Sequence, residues 1–298
     1  MTFNEGARLD TRTVGGGRGG GRSGMAVGGG IGGLVLLLLG AVFGVDLTGG
    51  GAGAPGVANQ AQADDRTAQL QQACRTGADA NKYVECRIIG TENTAHAFWS
   101  QTLPGSQVQY QRPSTVIFSG STNTGCGAAS SQTGPFYCPA DETMYFDVSF
   151  FELLSSRFGA SNGALAQEYV VAHEFGHHIQ NELGLLRKAQ QDPQGPKSGA
   201  VRVELMADCL AGVWAHHASR TVDANGNPFL QPLTRQDIQD ALSAAAAVGD
   251  DRIQKAATGS VNPHTFTHGT SEQRQQWFIK GYQSGDLQTC DTFANPNL

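Results

Sequence analysis

The run His173-Glu174-Phe175-Gly176-His177 constrains this chain more than any other feature. Histidines four residues apart lie one above the other on a single face only if the segment is α-helical. The flanking residues agree: Leu165, Val170, Val171, Phe175 and Ile179 provide apolar faces for a helix from Gly163 to Glu182 ending near Gly184. Two imidazoles on one face can share a metal ion. A catalytic zinc takes three protein ligands and keeps a fourth position open, so the pair requires a third ligand from elsewhere. Glu174 adjoins His173 and projects near such a metal without binding it, which suits a general base acting on water. Gly176 is expected to keep the surface beside the ligands free of bulk.

Glu204-Leu-Met-Ala-Asp208 places two carboxylates four apart on a second helix, expected from Val201 to Ser219 and buried through Val203, Leu205, Leu210 and Val213. Glu204 is the expected third metal ligand. Asp208, one turn on, is expected to accept the second ring N–H of a ligand histidine, which fixes its tautomer. An exposed charged face fits poorly, because both acids sit among Leu, Met, Ala, Cys and Trp214. His178 is rotated about 100° around the helix from His177 and is not expected to bind the metal. His216 and His217, near the end of the second helix, suit terminal carbonyls better than a metal. Near the C-terminus His264, His268 and Arg274 surround a helix start marked by Thr270 and Ser271. His268 is the first candidate for stabilising an oxyanion, with Arg274 as its outer partner.

The remaining pattern indicates an α+β domain. Helices are predicted near Thr67 to Arg75 and Tyr83 to Gln101, then Thr234 to Val248 with Thr234 as N-cap, and Ser271 to Ser284 before Gly285. Ser114–Phe118 and Thr143–Phe151 are β-branched and aromatic runs expected to be strands, joined by a Gly, Ser and Pro-rich connection. The strand from Thr143 to Phe150 is a candidate for pairing with a substrate backbone.

Six cysteines without a C-x-x-C pair argue for disulfides and an oxidising compartment, against a thiolate zinc site. Six allow 15 pairings. The reading adopted joins sequence neighbours, Cys74 with Cys86 and Cys126 with Cys138, leaving Cys209 with Cys290; buried free thiols are the alternative.

Residues 1–24 combine glycine with Arg8, Arg12, Arg18 and Arg22 and are expected to be a disordered cytoplasmic tail. Residues 25–45 carry no charge and match the length of one transmembrane helix, giving the chain membrane lipid as a partner. No Lys or Arg follows until Arg66, so a single pass would leave the N-terminus cytoplasmic and the rest outside the cell membrane. A cleaved signal peptide ending at Ala61-Gln62-Ala63 competes with that reading, although the site lies far downstream of the apolar run. Residues 46–65 read as a flexible linker, and residues 66–298 as the folded domain. A net charge of −6 and a pI near 5.7 offer no surface for a phosphate backbone, which argues against nucleic acid as a partner.

The sequence resembles the bacterial neutral zinc metallopeptidase family. The likeness rests on Gly125-Cys-Gly127, Gly134-Pro-Phe-Tyr-Cys-Pro-Ala-Asp141, His173 to His178, Glu204 to Cys209, Gly249-Asp-Asp-Arg252 and Thr267-His-Gly-Thr-Ser271. It implies a zincin-like, gluzincin-type metallopeptidase domain and a zinc ion held by His173, His177 and Glu204. It also implies hydrolysis of peptide or protein substrates in the cell envelope. Cys74 and Cys86 stand outside the family pattern. The rival expectation is a catalytically degenerate zincin fold, or an envelope protein whose zinc is structural.

Overall fold

The computed structural model describes residues 2–17, 58–103, 108–296 and 298. The predicted span at 25–45 and the linker at 46–57 lie outside them. Among the described residues no helix is long and apolar enough to cross a membrane.

Strand β1 (Val14–Gly15) is followed by helices α1 (Ala58–Ala73), α2 (Gly77–Lys82) and α3 (Val84–Thr102). Five strands come next: β2 (Ser114–Phe118), β3 (Ser121–Thr124), β4 (Gly127–Ser130), β5 (Phe136–Cys138) and β6 (Thr143–Asp147). The rest is helical: α4 (Ser149–Ser156), α5 (Ala164–Glu182), α6 (Arg187–Gln191), α7 (Gly199–His217), α8 (Arg235–Ala247), α9 (Asp250–Thr258) and α10 (Ser271–Ser284). The expected α+β class is the one observed. Its four-stranded sheet has the order β1-β2-β6-β5, with β5 alone antiparallel to its neighbour, while β3 and β4 form a separate hairpin.

Local chemistry accounts for several helix starts. Thr234 and Thr270 each close a capping box, with Asp237 and Gln273 as the reciprocal partners. Ser198 caps α7 by accepting from the Val201 N–H. Helices α5 and α7 lie close together because Gly176 faces α7: a Cβ there would stand 3.1 Å from the Ala207 carbonyl oxygen. The bulk that Gly176 excludes thus belongs to the partner helix and not to the ligand space, as the sequence reading had it.

Four expectations require correction. The strand predicted to run to Phe151 stops at Asp147, whose carboxylate accepts from the Ser149 N–H and hydroxyl and turns the chain into α4. Strand β6 lies between β2 and β5 and is buried along its whole length, so it has no free edge for a substrate backbone; β5 is the edge strand. The disordered tail expected at 1–24 does not hold for residues 2–17, because Phe3, Ala7 and Val14 are buried in the main core. The linker also ends earlier than expected, since α1 begins at Ala58. All three disulfides form between the expected partners, Cys74–Cys86, Cys126–Cys138 and Cys209–Cys290.

Phe3 is fully buried, and replacing its ring with a methyl group both loses transfer energy and leaves a cavity. Phe3→Ala is expected to destabilise the domain by about 3–5 kcal/mol. Urea unfolding checks this: the midpoint should fall while the m value is unchanged.

Candidate metal centre

Helix α5 carries His173, Glu174 and His177, and α7 brings Glu204 against them. One ligand atom from each of His173, His177 and Glu204 lies within 4.8 Å of the others. His173 Nε2 is 3.2 Å from Glu204 Oε2, and His177 Nε2 is 3.4 Å from Glu204 Oε1. Both imidazoles turn the same nitrogen inward because the other is held. His173 donates from Nδ1 to Asp208 Oδ1 at 2.8 Å, and His177 donates from Nδ1 to Gln180 Oε1 at 2.8 Å. Gln180 is itself fixed by donating to the Val203 carbonyl of α7 at 2.6 Å.

Asp208 is a four-way junction. Besides His173 it accepts from the Tyr169 hydroxyl, and Arg274 of α10 donates to it through Nε at 2.8 Å and Nη2 at 2.9 Å. Arg274 also donates to the Val248 carbonyl at 3.2 Å. The expected pairing of Arg274 with His268 gives way to this arrangement. His268 is held instead by Asp250, whose Oδ1 lies 3.3 Å from Nδ1. Asp250 Oδ2 accepts three successive backbone N–H groups, from Thr267, His268 and Gly269. With its Nδ1 side engaged by Asp250 and Thr267, His268 keeps Nε2 free, and its ring lines the same cavity as Glu174 and Glu204.

Burial and partners set the charges. Burial pushes the His173 imidazole down, but Asp208 and Glu204 outweigh it and raise it to about 9. At His177 burial outweighs the pull of Glu204 and Gln180, and the imidazole falls to about 4. Glu174 rises to about 7 through burial, and neighbouring Glu204 adds to the rise. Burial raises Glu204, yet the histidines His268, His177 and His173 pull it well below the usual carboxylate range. Three donors face one point, two neutralisable imidazoles and one carboxylate that stays ionised. That donor set fits zinc with one position open, and the proton stabilised on His173 is what a cation would displace.

His178 is elsewhere. It donates from Nε2 to the Gln111 carbonyl and accepts at Nδ1 from the Tyr137 hydroxyl. His216 and His217 satisfy carbonyls as expected, but those of α10 and its end, Tyr282 and Gly285, rather than of their own helix. His264 is exposed in a short 3₁₀ turn.

A cavity of about 190 Å³ lies over the centre. Phe150, Phe158, Val170, Leu186, Val248 and Ile253 give it apolar walls, and β5 with the preceding Gly134-Pro135 forms one side. The Tyr137 backbone N–H of β5 faces Glu174 and moderates its raised pKa.

Comparison with known proteins matches residues 4–293 to the family described as "Putative neutral zinc metallopeptidase". The chain belongs to this family. It is 53% identical over 304 residues to an uncharacterized protein of Mycobacterium tuberculosis H37Rv, Rv2575, with all of both chains covered. The same identity and coverage hold for an uncharacterized protein of Mycobacterium bovis, Mb2605. Uncharacterized protein YpfJ of Escherichia coli K12 is 41% identical over 266 residues, covering 88% of this chain and 85% of YpfJ. No solved structure matches the chain.

The sequence reading had no role for Gln180, Tyr169 or Asp250. Gln180 was recoverable, since it lies three residues after His177 on the same helical face. Asp250 was not, because nothing local ties it to residues 267–269.

Helical geometry separates the two neighbouring roles on α5 and α7. Glu204→Ala is expected to reduce zinc retained after dialysis by roughly tenfold or more, while His178→Ala leaves it near the wild-type value. Elemental analysis of both purified variants decides it; equal losses would break the ligand assignment.

Proposed function

We propose that this protein is a zinc-dependent endopeptidase that cleaves peptide or protein substrates in the cell envelope, attached to membrane lipid through residues 25–45. The observation that carries the reading is the convergence of His173, His177 and Glu204 beside a buried, unligated Glu174 at the base of an apolar cavity. Zinc held by these three residues would polarise a carbonyl oxygen and lower the pKa of water at its open position.

The chain's own groups account for the rest. Edge strand β5 offers backbone donors and acceptors to an extended substrate, which aligns the scissile bond with the centre. Apolar walls exclude water and seat a side chain of that substrate. Glu174, with a pKa raised to about 7, takes the proton of the attacking water and passes it to the departing nitrogen. His268 presents Nε2 toward the charge developing on the carbonyl oxygen, with Asp250 holding the ring in place. Asp208, bonded to Tyr169 and Arg274, holds His173 in orientation.

The rival reading, a structural zinc or a degenerate binding fold, accounts less well for the same residues. A structural site is closed by four protein ligands, whereas the described residues bring three together and leave a carboxylate beside the gap. Glu174→Gln separates the readings, because the amide keeps the shape but cannot take a proton. Peptide hydrolysis is expected to fall by roughly 100-fold or more with zinc content unchanged. Retained hydrolysis with zinc bound would sink the proposal.

A further inference from the structure

Residues 2–17 occupy a slot shaped for them. Phe3 is fully buried, its ring lying where a Cβ at Gly90 of α3 would stand 2.6 Å away. The Asn4 carbonyl fills the space beside Gly77, where a Cβ would approach to 2.0 Å. Asn81 accepts from the Phe3 N–H and donates to the Phe3 carbonyl, and Asn93 does the same for Asp10. Farther on, the Arg8 N–H donates to Asp223, and β1 pairs in parallel with the edge of β2. An ion pair finishes the seam: Arg112 donates to Asp10 at 2.6 Å and to the fully buried Glu92 at 2.6 Å.

Two glycines, two asparagines and a half-buried arginine thus serve this segment. Removing it would expose Phe3's pocket, strip β2 of its partner and leave Arg112 with one carboxylate in place of two. The seam joins residues 2–17 to α2, α3 and the 222–230 region of the same body that holds the metal centre. At the exit Gly16 still donates to Thr67 of α1 at 2.8 Å, so the chain leaves and returns at neighbouring points.

We infer that residues 2–17 and the metal domain lie on the same side of any membrane the chain meets. The apolar stretch 25–45 therefore does not separate them by a single pass. One crossing takes about 20 apolar residues and two take about 40, so an uncharged run ending at Asp46 supplies one at most. Attachment is one-sided, with the N-terminal segment and the metal centre sharing a compartment. It is an alternative to the topology expected from the arginine distribution, in which the N-terminus stays cytoplasmic. Lipid attachment itself is part of the functional proposal above, but the shared compartment stands without it.

Cysteine labelling of the full chain tests this independently of any peptidase activity. Gly6 is exposed and a Cβ there meets nothing within 4 Å, so Gly6→Cys reports the N-terminal segment; Ala224→Cys, on an exposed turn, reports the domain. A membrane-impermeant maleimide applied to spheroplasts, before and after permeabilisation, should label both in step, in whichever compartment they lie. Labelling of one before permeabilisation and the other only after would overturn the inference. Ala7→Cys, at a buried position beside Gly6, supplies the second reading in permeabilised membranes. It should react roughly tenfold or more slowly than Gly6→Cys, because reaction waits for the segment to lift off. Equal rates would show a free tail and overturn it too.

Discussion

Asp208 is the interaction on which the centre depends. A carboxylate with no exposure carries a large desolvation penalty, and only several charged or polar donors in good geometry offset it. Asp208, on α7, has them from two other helices: Tyr169 and His173 of α5 and Arg274 of α10. The bonds that keep it ionised also fix the angle and spacing of these helices. Removing Arg274 would leave the negative charge to His173 alone, and removing Asp208 would leave a buried guanidinium without its bidentate partner. The face that carries His173, His177 and Glu204 is thus held by a polar network, whereas the surrounding helices meet through apolar contacts and close backbone approach at Gly176.

That network makes the two ligand histidines unequal. His173 faces an anion through Nδ1 and is held protonated up to about 9, while His177 faces the neutral amide of Gln180 and is neutral well below pH 7. The pair therefore holds one proton beyond its two neutral imidazoles at neutral pH, on the His173 nitrogen that faces Glu204. Asp208 provides a ligand that is both more basic and more firmly oriented, and Gln180 provides one that needs no deprotonation. A second carboxylate hub, Asp250, organises the other wall. By gathering three backbone N–H groups it folds the chain before α10 and sets His268 over the cavity, and it opens α9, whose Ile253 lines the same space.

The sheet contributes position more than area. Its central strands β2 and β6 are consumed by pairing, which leaves the short β5 as the edge that faces Glu174 and β1 as the opposite edge closed by the N-terminal segment. Among the described residues β5 keeps an unpaired outer edge, whereas β1 covers that of β2 and removes one of the two exposed templates for self-association.

What the sequence determined by itself was whatever local periodicity carries. Histidines and acids at spacing four must share a helical face, so His173 with His177, and Glu204 with Asp208, were legible without a fold. Capping boxes at Thr234 and Thr270 were legible for the same reason, since their partners lie three residues away. What only the tertiary structure decided were contacts between residues far apart in the chain. Arg274 joins Asp208 across 66 positions, Asp250 holds His268 across 18, and Asn93 binds Asp10 across 83. Strand position belongs to the same class, because a β-branched and aromatic run marks the stretch from Thr143 as a strand but says nothing of which neighbours use its edges. The N-terminal segment misled for a related reason. Its glycines and arginines cannot bury enough surface alone, yet Phe3, Ala7 and Val14 become core residues once α2, α3 and β2 provide the slot.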